Sequence, residues 1–342
     1  MLVANLMQRA IGFVRNLILC RLLTEDRLGL WALSFSFFVL AAPLVVWGLP
    51  GTFDRFFASY RASGQLNVFL KRVSIGAILG SMCFATVLVL APSSTSSIIF
   101  GVELSHATMS LIATALCLVI LFNSTTELLG GRCKPRIVST MHTCNSIVFT
   151  VTSLCGVMWI NDWRILVGAF AIASVAGLIP AIPALRNWHD IESPAKPAIP
   201  HGTMWKRVLP FAVSIWCMNL LVNLFDVVDR YMLLHLAAET AEQGRVLVGQ
   251  FHSGRIMPVL LSSLTLMLNG MMLPYLAAEW EAGNQSKVAM YGLQGAITAT
   301  SLCRTDWLLT GGEKLTLDQA ITLKLNQLGL PIHSLWPSTS RY

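Results

Sequence analysis

The chain has 342 residues, 55% of them apolar and only 12% charged, with a formal net charge of +7. Soluble domains average about 25% charged residues, so this chain cannot build a water-facing skin, and its mean hydropathy of +0.65 agrees. The balance argues against a soluble enzyme or a nucleic-acid-binding protein: Lys and Arg stand between apolar runs, as topogenic charges facing an anionic leaflet do.

A hydrocarbon core of about 30 Å needs about 20 apolar residues in a helix. Runs of that kind predict eight spans, at about 3–23, 28–49, 73–91, 110–129, 137–160, 165–185, 208–234 and 256–277. A ninth begins near Val288 and is cut short by Arg304 and Asp306. The runs are too long for strands and do not alternate as barrel strands do. The expected fold is therefore an all-α membrane protein, a polytopic helical bundle.

The loops carry an independent signal. Arg55, Arg61, Lys71 and Arg72 follow the second run, Arg132, Lys134 and Arg136 the fourth, and Arg186, Lys196, Lys206 and Arg207 the sixth. The intervening loops hold Arg27 alone, none between Pro92 and Met109, and Arg164 alone. The alternation places the even-numbered loops and the N-terminus in the cytoplasm. Arg9 and Arg15 interrupt the opening stretch, so no cleavable signal sequence is expected. Pro194, Pro197 and Pro200 mark a linker.

These marks divide the chain into a six-helix lobe (1–186), a cytoplasmic linker (187–207), an incomplete second lobe of two to three helices (208–302) and a polar tail (303–342). The tail reads either as a cytoplasmic extension or as a stretch that has left the original frame near Cys303; its loss of apolar runs favours the second.

Polar side chains inside a span are expensive unless they face protein or water. In the seventh run Asn219, Asn223, Asp226 and Arg230 follow i, i+4, i+7, i+11, which is one helical face. Asp226 and Arg230 have the spacing of an i,i+4 ion pair. This face is either the wall of a central cavity or the aqueous end of a helix. Ser139, His142, Ser146, Thr150 and Ser153 share a face of the fifth run, where hydroxyls commonly bond backbone carbonyls or join helices. The first run aligns Asn5, Arg9, Gly12 and Asn16, with Arg15 beside them. Both arginines can snorkel to the cytoplasmic surface, Arg15 less readily; the other reading is that they face the bundle interior, where a guanidinium fork suits phosphate.

Gly76 and Gly80, and Ala169, Ala173 and Gly177, have the spacing of close helix contacts. The eight cysteines lie mostly inside apolar runs without CxxC or His/Cys spacing, so they read as small hydrophobes. Asp226 and Asp229 form a DxxD without the further acids of a transferase motif, and His189, Asp190 and Glu192 have no second cluster. No Walker loop is present. Neither a catalytic constellation nor a cofactor or metal site is expected.

Two stretches carry a family resemblance. The first is Arg21-Leu-Leu-Thr-Glu-Asp-Arg-Leu-Gly-Leu-Trp-Ala-Leu33, with Trp47-Gly-Leu-Pro50 and Asp54-Arg-Phe-Phe-Ala-Ser-Tyr-Arg61. The second is Asp226-Val-Val-Asp-Arg-Tyr-Met-Leu233, with Val248-Gly-Gln-Phe-His-Ser-Gly-Arg255. They resemble the first hairpin and the seventh and eighth helices of the polysaccharide transporter (oligosaccharide flippase) family, over about residues 1–300. The resemblance implies two six-helix lobes, a cationic central cavity and alternating access; this chain departs from it by stopping early in the second lobe.

It further implies a multi-pass cytoplasmic-membrane transporter, not an enzyme, flipping a polyprenyl-linked saccharide for surface polysaccharide such as lipopolysaccharide. Membrane lipid and polysaccharide-assembly proteins would be its partners, and nucleic acid would not. Arg15 and Arg230 would meet the pyrophosphate, Asn219, Asn223 and Asp226 the sugar or a coupling ion, and His142 is a further cavity candidate. A drug or cation exporter of the same superfamily, a polytopic polysaccharide-assembly enzyme and an inactive fragment are the alternatives.

Overall fold

A computed structural model describes residues 2–186, 200–261 and 263. The chain divides into units 1–253 and 254–342, and all that follows concerns the first, within which every described element is helical. In order these are α1 (Leu2–Leu22), α2 (Glu25–Val45), α3 (Thr52–Ala62), α4 (Leu66–Leu90), α5 (Pro92–Phe100), α6 (His106–Gly131), α7 (Pro135–Trp159), α8 (Trp163–Leu178), α9 (Ile182–Arg186), α10 (His201–His235) and α11 (Ala241–Gly254). Six are long and apolar enough to cross a membrane: α2, α4, α6, α7, the α8–α9 run and α10. With every described element helical, they make this an all-α, multi-pass membrane protein. The expected spans at 256–277 and near Val288 lie outside the described residues, except for helical 256–261 and 263. The tail 303–342 and the linker up to residue 199 lie outside them as well.

The core is built on α2. Glu25 and Asp26 occupy its first turn, where carboxylates complement the helix dipole. Beyond them the helix is apolar nearly all round, and Leu28, Trp31, Leu33, Phe37, Phe38 and Ala41 are all buried. A helix with no polar face must be enclosed, and α4, α5, α6, α8 and α10 pack around it. Without a hydrophobic drive between helices in lipid, these contacts depend on small residues and close van der Waals packing. Gly80 of α4 shows this: a Cβ there would lie 2.6 Å from the Val45 carbonyl of α2. Ala169, Ala173 and Gly177 likewise sit buried on α8, at its seams with α6 and α7.

The helix ends lie elsewhere than the apolar runs suggested, for a reason visible in the charges. α4 starts at Leu66, so Lys71 and Arg72 are helical, and α10 starts at His201, so Lys206 and Arg207 are helical. Long basic side chains reach water from inside a helix end. At 35 residues, α10 is about 52 Å long, well over the hydrocarbon thickness. Two short helices also occupy stretches read as loops. α3 is amphipathic, burying Phe53, Phe56, Phe57 and Tyr60 against Phe69 and Val73 of α4 and Met204, Val208 and Ala212 of α10. The other, α5, stops at Gly101, whose φ of +64° is left-handed.

Alternate loops gather at opposite ends. At one, a Cβ on Gly131 would lie 2.9 Å from the Phe53 carbonyl, and Arg132 donates 2.7 Å to the Ala184 carbonyl. At the other, Arg27 donates to the Asn161 carbonyl, Asn161 donates 3.2 Å to the Leu22 carbonyl, and a ring nitrogen of His235 lies 2.9 Å from the Ile98 carbonyl. The first end carries the cation-rich loops and the second the cation-poor ones.

Candidate functional site

Arg15 sits about 10 Å from the C-terminal end of α1. It is held by α7, along which α1 packs lengthwise. Nearer the cationic end, Gln8 Nε2 donates 2.6 Å to Thr143 Oγ1 and 3.2 Å to the Ser139 carbonyl. Two turns further up, the Arg15 guanidinium carbon lies 4.3 Å from the centre of the Phe149 ring. Phe149 belongs to an aromatic group with Trp31 of α2 at 5.6 Å and Phe170 of α8 at 5.3 Å. Arg15 Nε is buried with no hydrogen-bond partner among the described residues. A guanidinium held over an aromatic face keeps its N–H edges available to an anion.

The polar stripe of α10 is divided by its packing. Arg230 is buried, at 9% exposure, and donates to Ser36 Oγ of α2. The same serine donates 2.7 Å to the Ala32 carbonyl, so its hydroxyl both gives and accepts. Asn223 is half-buried, while Asn219 and Asp226 are exposed. The contact face of α10 runs through Val208, Ala212, Val227, Arg230 and Leu234, so Asn219 and Asp226 lie beside the seam with α2, outside it. Trp31, behind Phe149, and Ser36, under Arg230, are five positions apart, or about 140° around α2. The two arginines therefore relate to different faces of that helix.

His142 turns towards α6, its ring edge-on to Phe122 at 5.3 Å. The α7 hydroxyls mostly serve their own helix: Thr143 donates to the Ser139 carbonyl at 2.8 Å, Thr150 to Ser146 at 2.8 Å, and Ser153 to Thr150 at 3.2 Å. This is the local back-bonding expected of Ser and Thr in apolar helices. The Asn5 side chain lies outside the described residues.

Sequence reading missed a fastening at the cation-poor end. Arg245 of α11 donates 2.7 Å to the Asp26 carboxylate of α2, and Gln250 donates 2.8 Å to Glu25. Between these polar contacts Gly249 packs directly on the Glu25 carbonyl, and Gly29 packs on the Arg245 carbonyl. The paired glycines let the two backbones touch. The available signal was the acidic pair at the start of α2; its partner is 219 positions away.

The sequence model of the family described as "Polysaccharide biosynthesis protein" matches residues 1–280. The chain belongs to that family. No curated protein and no solved structure matches it. Membership extends across α1 to α11, so Arg15, Ser36, Arg230 and the Asp26–Arg245 fastening all fall within the part that carries the family's pattern.

Proposed function

We propose that this family member is a flippase of the cytoplasmic membrane, carrying a polyprenyl-linked saccharide across the bilayer for surface polysaccharide synthesis. Its N-terminus lies in the cytoplasm, a reading supported by the gathering of the cationic loops at one end. The observation that carries the proposal is Arg15: a half-buried guanidinium on α1, packed against α7 and set on the Phe149 ring, with a buried Nε that no described residue satisfies. Such a group is costly in the membrane unless an anion meets it, and the pyrophosphate of a lipid-linked saccharide is an anion of matching fork geometry.

In this reading Arg230, anchored on Ser36, adds positive charge along α2. Asn219, Asn223, Asp226 and His142 supply polar contacts to the sugar or to a coupling ion. The protein moves its substrate unchanged and performs no bond chemistry. Cells lacking the full-length gene should accumulate the lipid-linked saccharide on the cytoplasmic leaflet. Unchanged pools, with efflux of a cationic dye lost instead, would replace this reading with that of a drug exporter.

A further inference from the structure

A second cationic feature lies at the other end of α10, away from Arg230. Between α3 and the first turns of α10 is an open cleft of about 430 Å³, within the range of about 300–1,000 Å³ usual for small-ligand sites. Arg55 and Ser59 line it from α3, and Arg207 and Ser214 from α10. The floor is aromatic: the Arg55 guanidinium carbon lies 4.5 Å from the centre of the Phe211 ring and 5.8 Å from that of Phe56, and Arg207 lies 5.8 Å from Phe56. The rings hold both guanidinium groups by their faces, so the donor edges stay available. No carboxylate lines the cleft. Asp54, next to Arg55 in sequence, is turned to α6 instead, where a Cβ on Gly130 would lie 3.1 Å from its Oδ1. Neither guanidinium has a hydrogen bond or ion pair among the described residues.

Two unneutralised arginines with the Ser59 hydroxyl beside them make a receptor for a phosphate dianion or a pyrophosphate, while Ser214 donates 2.9 Å to the Pro210 carbonyl of its own helix. Its position narrows the source. Arg207 is about 9 Å from the start of α10, where the helix passes from the cationic end into its apolar stretch. Leu209 and Val213, on the same turns, are exposed hydrophobic residues. A ligand with a phosphate head and a hydrocarbon tail fits both surfaces; a free phosphate uses only one.

We propose that this cleft binds the phosphate or pyrophosphate headgroup of a membrane lipid. The site stands whether or not the chain moves that lipid across the bilayer. The test uses the full chain in neutral detergent, with native mass spectrometry reading lipid occupancy against added phosphatidylglycerol, undecaprenyl pyrophosphate and inorganic pyrophosphate. The R55Q/R207Q double variant is compared with R136Q, a cation of the same end outside the cleft. Both substitutions in the double variant fall on exposed side chains, and monodisperse elution checks the fold.

At least one lipid should bind, with occupancy about tenfold weaker in R55Q/R207Q and unchanged in R136Q. Loss confined to phosphatidylglycerol identifies a bulk-lipid site, and loss confined to undecaprenyl pyrophosphate a site for the polyprenyl carrier. Equal binding of every phosphate ligand by both variants and the parent overturns the proposal. So does binding of inorganic pyrophosphate as tight as that of either lipid.

Discussion

Replacing Arg15 by Met separates a structural arginine from a ligand-binding one, because the two roles predict opposite signs for stability. Met keeps the length and the apolar stem and removes the charge. The variant loses the contact with Phe149, worth about 0.5–2 kcal/mol for a cation on an aromatic face. It also loses the cost of an arginine in the bilayer, at most about 2.5–3.5 kcal/mol, the insertion-scale value for a helix centre. The difference makes Arg15→Met more stable than the parent by up to about 3 kcal/mol, read as a higher midpoint when aggregation of detergent-solubilised protein is followed on heating.

Transport should move the other way. Loss of one charge-assisted contact to a phosphate costs about 1.5–3 kcal/mol, or about 10- to 150-fold in rate at low substrate. Arg15→Lys, which keeps charge without the fork, should fall between the two. The reasoning is refuted if Arg15→Met lowers the midpoint and transport declines only in step with the folded fraction, because Arg15 would then be a packing residue.

Three further outcomes follow from the geometry. Gly249→Leu places a side chain against the Glu25 carbonyl and should destabilise by about 1–3 kcal/mol as an overpacked seam; a crosslink between cysteines introduced at Asp26 and Arg245 should form in the parent and be lost in this variant. Burial pushes the Asp54 carboxyl above its ordinary value, so the folded state disfavours its charged form. Asp54→Asn should therefore stabilise at neutral pH, and the gain should shrink as pH falls through the raised value and then the ordinary carboxylate range; a gain that grows on acidification would contradict the assignment. Cys133, exposed at the cationic end, should react with a membrane-impermeant maleimide in inside-out vesicles and stay unlabelled in intact cells.

The six long apolar helices among the described residues were legible because long apolar runs have few alternatives, and the cation-rich loops could be told from the cation-poor ones because composition is a local property. The helix ends were not: Lys71, Arg72, Lys206 and Arg207 look like loop residues by charge, yet their side chains leave the helix while their backbones remain in it. α3 escaped notice since its apolar residues, Phe53, Phe56, Phe57 and Tyr60, form a stripe only 11 residues long, between two charged loops. In α10 the periodicity put four polar residues on one helical face, which the packing divides. How far each is buried depends on where α2 crosses, and a single helix's pattern cannot encode that. The same holds for Arg15: the sequence left it either facing the bundle interior or snorkelling to the surface, and Phe149 could be found only from the packing of α1 on α7. The Asp26–Arg245 fastening is the extreme case, two unremarkable surface charges joined by the fold.

The central claim is transport of a lipid-linked saccharide, and reconstitution tests it most directly. The protein is placed in liposomes loaded with a fluorescent undecaprenyl-pyrophosphate saccharide in both leaflets, and dithionite is added outside. With a functional flippase, both leaflets should bleach nearly completely within minutes, while Arg15→Met vesicles lag by the factor derived above. Bleaching that stops near half, equal to protein-free liposomes, would contradict the account.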